Sequence, residues 1–258
     1  FVELAKDPSL IALTFPVTYW DYLGWKDTLG QPAFTKRQKL YAKARGDGQV
    51  YTPQAVVNGV AHVVGSDRRG IEKLMLDQGP AALPVKVSLR EADGQLHIAL
   101  PAAGATTSEK PAGVWVLAYA RSTSVPIERG ENNGKTVTYA NVVRAVTRVG
   151  DWNGAAVNLA APLAVTRPPL ADGYVVLVQA DQYQRGGAIL GAARGPSSRL
   201  APSGRSRPVR MERLGDPASR CPQRPAGRSS PRPKAHSMLH LDDSVPNAAR
   251  PRGSPPCS

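Results

Sequence analysis

Two of the four tryptophans and two of the eight tyrosines fall within nine residues, Tyr19-Trp20-Asp21-Tyr22-Leu23-Gly24-Trp25-Lys26-Asp27. Aromatic faces interleaved with carboxylates and a lysine can stack on a ligand and fix its polar groups. An aromatic plug closing one end of a sheet uses the same residues. Asp21 and Asp27, six apart, could form an acid/base pair, or each could cap a turn or pair with Lys26 or Arg37. His62 and His97 have neither a cysteine nor a second histidine at ligand spacing, so no metal site is expected. They read as surface or hydrogen-bonded histidines. The chain holds no Gly-x-Ser-x-Gly, no phosphate-cradling glycine loop and no dinucleotide fingerprint. Cys221 and Cys257 lie 36 positions apart, with no Cys-x-x-Cys. No catalytic residue, metal or cofactor is therefore assigned.

The aromatic loop needs a platform, and the apolar run Ile11-Ala12-Leu13-Thr14-Phe15-Pro16-Val17 reads as a buried strand leading into it. Loops leaving the carboxyl end of a strand are where open α/β sheets place ligands. Pro32 suits a first helical turn. Phe34, Arg37, Leu40, Tyr41 and Ala44 then share one helical side, up to Gly46-Asp47-Gly48. Ala55-Val56-Val57, Asn58-Gly59 and Val60 to Val64 make a hairpin signal. Ser66 can cap a helix carrying Ile71, Leu74 and Met75, which Gly79-Pro80 stops.

From Pro84 the pattern is β throughout. Val85 to Glu91 and Gln95 to Leu100 flank Ala92-Asp93-Gly94. Further strands are expected at Val114 to Ala120, Thr136 to Val149, Ala155 to Leu159, Tyr174 to Gln179 and Ala188 to Ala193. Short strands separated by Gly, Pro and Asn turns indicate a sandwich. The predicted organisation is an α/β domain over 1–82, an all-β sandwich-like domain over 83–195, and a tail over 196–258.

The formal charge of +13 is concentrated in that tail. It holds eleven arginines and one lysine against four carboxylates, and twelve of the 24 prolines. Its Arg, Pro, Gly, Ala and Ser are types that GC-rich codons supply in any frame. It is expected to be a disordered, read-through-like extension. It lacks the interleaved aromatics that stack on bases, so no specific nucleic-acid partner is expected. No run approaches the roughly 18 apolar residues that span a bilayer. The chain starts at Phe1 without a signal-peptide pattern, and is expected to begin inside a longer unit.

Three stretches together resemble one family: the aromatic nonapeptide, Val50-Tyr51-Thr52-Pro53-Gln54-Ala55-Val56-Val57-Asn58-Gly59, and His62-Val63-Val64-Gly65-Ser66-Asp67-Arg68. Arg129 to Thr136 and Tyr139 to Arg144 agree with it. The family is the bacterial domain of unknown function DUF1223, a thioredoxin-like group usually exported to the periplasm or secreted. The resemblance covers residues 1 to about 195. It implies an upstream strand and Cys-x-x-Cys turn, hence thiol–disulfide chemistry on protein or small thiols in intact relatives. This chain, without those cysteines, is expected to be redox-inactive and not an enzyme. Thr52-Pro53 resembles the family's cis-proline beside a substrate chain. Where relatives have Phe-His-Val-Asp, this chain has Phe15-Pro16-Val17-Thr18.

The resemblance predicts an incomplete thioredoxin-like α/β domain whose first strand, central in the sheet, is missing. Strands 11–17 and 55–57 would then lack a ladder partner, and the first domain would be poorly stable. The alternative function is a non-catalytic peptide- or ligand-binding module, holding an extended chain by β-augmentation at Tyr19, Trp20, Asp21, Tyr22, Trp25, Thr52 and Pro53.

Overall fold

A computed structural model describes residues 1–19, 21, 27–79, 83–103, 111–127, 134–180 and 187–196, and residues 236–241 in backbone only. The elements are α1 (Val2–Ala5), β1 (Leu10–Thr14), α2 (Pro32–Arg45), β2 (Gln54–Val57), β3 (Ala61–Val64), α3 (Arg68–Gln78), β4 (Ser88–Ala92), β5 (Gln95–Leu100), β6 (Ala112–Pro126), β7 (Thr136–Trp152), β8 (Val157–Pro162), β9 (Gly173–Ala180), β10 (Ile189–Arg194) and β11 (His236–Leu241).

All five residues of β1 are buried, so both of its faces must be covered. Alternation divides the work. Ile11 and Leu13, with Phe15, pack against Phe34 and Tyr41 of α2. Leu10 and Ala12 face the other way, onto Leu4 of α1, Ala55 and Ile71 of α3. On β6 the same period sends Trp115, Leu117 and Tyr119 to the α2 side, while Val114 and Val116 meet a second sheet. Phe15, Phe34 and Tyr41 are at most 1% exposed. Each such side chain contributes about 1.5–3 kcal/mol on leaving water.

These strands form one mixed sheet of eight, in the order β10-β9-β6-β7-β1-β11-β2-β3. The three-stranded sheet β4-β5-β8 packs Leu96, Ile98 and Leu100 onto Val176 and Val178 of β9. The protein is mostly β with few helices. It is not a thioredoxin-like α/β domain followed by a separate sandwich.

The finding that overturns that expectation is the join between β1 and β7, which are parallel and bridged at Thr14–Val142. Thr14 Oγ1 donates to the Ala140 carbonyl (2.7 Å), and Asn141 Nδ2 donates to the Ala12 carbonyl (2.9 Å). Arg194 on β10 donates to the Leu10 carbonyl (2.6 Å). Strands on either side of residue 83 therefore share one sheet and one core. Local periodicity reports a strand's exposure, not its partner 128 residues away, so the change of texture at Pro84 looked like a domain boundary.

The tail supplies one described strand. His236–Leu241, within the segment expected to be disordered, is a strand between β1 and β2. It runs parallel to β1 (Leu10–His236 to Thr14–His240) and antiparallel to β2 (Met238–Val57 to Leu241–Gln54). The central position expected to lack a strand is occupied. The three apolar residues of this short run, Met238, Leu239 and Leu241, are diluted in an Arg/Pro-rich composition, which hid it.

Local signals fared better. Pro32 opens α2, and Gly46 at φ +81° closes it in the left-handed conformation that suits glycine. β2 and β3 pair across Asn58-Gly59-Val60 as a hairpin. α3 starts one residue later than expected: Asp67, not Ser66, caps it and accepts from the Gly70 N–H at 2.9 Å.

Candidate functional site

The aromatic loop begins on a firm base. The Thr18 N–H donates to Thr35 Oγ1 (2.9 Å), and the Gln31 N–H donates to the Pro16 carbonyl. Both contacts tie the strand exit to the start of α2. Asp27 is 3% exposed, and its carboxylate accepts from the Leu29 N–H at 2.8 Å, which makes it a turn-forming residue. Tyr19 packs against the core and Asp21 lies in a helical turn. Trp20, Tyr22, Trp25 and Lys26 lie outside the described residues, and the structure leaves the ligand-stacking reading of this loop untested.

The Thr52–Pro53 bond is cis, as the resemblance implies. Next to it stands a chain of polar groups that sequence reasoning did not assemble. Asp47 Oδ2 lies 3.1 Å from His62 Nε2, and the Tyr51 hydroxyl lies 2.7 Å from His62 Nδ1. The Arg45 guanidinium hydrogen-bonds Asp47 and holds its carboxyl down at about 2. An ionised Asp47 only accepts, so Nε2 carries the proton, Nδ1 accepts, and Tyr51 donates. Burial pushes His62 down from the ordinary imidazole value and Tyr51 up from the ordinary phenol value. Both rings thus stay neutral near pH 7. The chain clamps the loop after α2 to the hairpin, and Gln38 of α2 extends it by donating to the Tyr51 carbonyl (2.8 Å) and Gln54 Oε1 (3.0 Å).

The same helix carries a buried charge. Arg37 is 5% exposed. Its Nη2 donates to the Tyr41 hydroxyl (2.9 Å) and Gln179 Oε1 (2.7 Å), both neutral. Gln179 is itself fixed, donating to Tyr41 (2.9 Å) and to the Gly187 carbonyl (3.0 Å). The guanidinium also lies over the Phe15 and Tyr41 rings, at 5.7 and 5.3 Å. No carboxylate pairs with it among the described residues, and its Nε–H has no acceptor.

Arg37 lines a cavity of about 220 Å³ between α2 and the sheet. Gln31, Lys36, Leu40, Trp115 and Arg148 also line it, and no carboxylate is among the lining residues. Arg148 lies over the Trp115 ring at 5.4 Å and forms an ion pair with Asp151. An isolated buried ion costs several kcal/mol, and a guanidinium offers a planar fork matched to carboxylate or phosphate. A concave site with an apolar wall, two further cations and a buried cation with no carboxylate partner among the described residues has the chemistry to take an anion. Among the described residues no group of three or more His, Cys, Asp or Glu could hold a metal.

Of the residues expected at the site, the structure places Thr52 and Pro53 beside the Tyr51–His62–Asp47 chain. It places Tyr19 against the core that α2 covers. Arg37 was legible as a core-side helical residue, but its partner Gln179, 142 positions away, was not. Trp115 and Arg148 were read only as members of strands.

The sequence matches the family described as "Protein of unknown function (DUF1223)" over residues 1–179, well over half of the chain. The chain belongs to the DUF1223 family. A crystal structure of a protein from Agrobacterium tumefaciens, solved by a structural genomics consortium, is similar to it. The two share 33% identity with a TM-score of 0.59, over 70% of this chain and 78% of that one. No curated protein matches the chain.

Proposed function

We propose that this DUF1223 protein is a non-catalytic binding module for a small organic anion, held in the cavity between α2 and the sheet. The carrying observation is Arg37: nine-tenths buried, with only neutral partners and no acceptor for its Nε–H among the described residues, and a cavity beside it. A carboxylate or phosphate would supply the missing counter-charge through charge-assisted hydrogen bonds. Lys36 at the mouth adds attraction that salt screens, and the Trp115 face and Leu40 suit a short apolar body. A volume of 220 Å³ falls below the range of about 300–1,000 Å³ typical of drug-sized ligands, so the ligand is small.

The test is a thermal-shift and calorimetric titration with benzoate, a short aliphatic carboxylate and inorganic phosphate. One or more should raise Tm on the parent chain. R37M should abolish that rise, and K36Q should weaken it and flatten its salt dependence. Equal responses from parent and R37M, or no response from the parent, would overturn the proposal. As part of the same reading the chain does no dithiol chemistry, since it contains no Cys-x-x-Cys. Measurable insulin reduction by the purified chain would contradict that.

A further inference from the structure

The centre of the large sheet is filled from outside its own neighbourhood. β1 and β2 are adjacent to β11 and not to each other. β11 pairs with β1 over Leu10 to Thr14 on one side, and with β2 over Gln54 to Val57 on the other. The residues that frame it are core residues: Ala12, Leu13, Ala55, Val56 and Val57 are at most 1% exposed. Removing β11 would open two interior strand edges at once, each a row of unpaired N–H and C=O groups.

The connection to β11 is long. Residues 195 to 235, 41 in all, separate it from β10. Such a stretch can reach at most roughly 140 Å, several times the length of the six-residue strand it delivers. Covalent geometry therefore does not restrict this strand to the sheet of its own chain. Among the described elements β11 lies chiefly beside β1, β2 and β10, and its two ladders run to β1 and β2.

We infer that the gap between β1 and β2 is a strand-acceptor site, and that His236–Leu241 is a detachable donor that can be supplied in trans by a second copy of this chain. The site takes an extended segment of six residues, half of them apolar (Met238, Leu239 and Leu241), parallel to β1 and antiparallel to β2. Affinity comes from main-chain hydrogen bonds on both edges, which is strand addition into the interior of a sheet. This inference is independent of the anion cavity, whose lining comes from α2 and its start, β6 and β7 and from neither of the donor's ladder partners.

The experiment uses the full chain carrying Leu239→Pro, which removes one ladder N–H and disfavours the strand, together with a fluorescent peptide spanning residues 234–243. The expected result is saturable one-to-one binding to the variant and a rise in its Tm. The parent should bind the same peptide at least tenfold more weakly, because its tethered donor competes at high effective concentration. A scrambled peptide should not bind. If the variant melts like the parent and ignores the peptide, the gap is not an acceptor for this strand. If the variant is unfolded and the peptide does not restore a cooperative transition, the inference also fails.

Discussion

A single ionisable ring shows how burial sets this protein's response to pH. His62 is held neutral by burial, with Arg45 nearby acting in the same direction and Asp47 opposing. Its native pKa lies below the 6.5 of the unfolded chain, so between those two values the unfolded state binds more protons. Stability therefore rises with pH through that window and is lost as pH falls below 6.5. Asp47 adds a second window: its contribution is present above 3.8 and is lost as pH falls towards about 2. Urea midpoints measured from pH 8 to 5 should fall on the acid side in the parent and stay nearly flat in H62Q. An unchanged slope in H62Q would place the sensitivity elsewhere. At Arg37 the residue-scale expectation is opposite in kind. Without ligand, R37M should be neutral or stabilising, because a buried charge with no carboxylate partner among the described residues is replaced by an apolar side chain of similar length.

At the scale of elements, α2 does most of the positioning. Its first turn receives the strand exit through Thr35 and Gln31, its middle carries Arg37 and Gln38, and its end turns at Gly46 towards Asp47. A Cβ at Gly46 would meet nothing within 4 Å, yet φ is +81°. G46A should therefore cost about 1–2 kcal/mol from backbone conformation alone, measured as a shift in the denaturant midpoint at constant m. At Gly191 φ is ordinary but a Cβ would run into the Val85 carbonyl oxygen, so the cost of G191A is steric. The cap of α3 follows the usual scale: D67A should lose about 1 kcal/mol.

Across the whole molecule, two long strands make one unit from what reads as two. β7 carries one more residue than β6 at each of two register shifts, between Val114 and Trp115 and between Ala118 and Tyr119. Such bulges bend a strand and sharpen its twist. The second lies close to Val142, where β1 joins. Asn141, at φ +51°, turns its side chain into a backbone substitute and donates to the Ala12 carbonyl. N141A should cost about 2 kcal/mol or more, through the lost buried hydrogen bond and a left-handed φ on alanine. Native-state hydrogen exchange should show amides of β1 and β9 opening with the same free energy. Much faster exchange in β1 would restore the two-unit picture.

What the amino-acid order determined by itself was local. Pro32 and Gly46 bounded a helix, Asn58-Gly59 turned a hairpin, alternating apolar residues marked the strands, and the three motif stretches pointed to the DUF1223 family. Each of these rests on backbone preference or periodicity within a few residues. Tertiary structure alone decided the rest: that β1 meets β7, that Arg37 is buried against Gln179, and that His236–Leu241 fills the centre of the sheet. Those outcomes depend on which edges and charges are brought together across more than a hundred residues. Pairing energy is a property of two segments in contact, and neither segment states it alone.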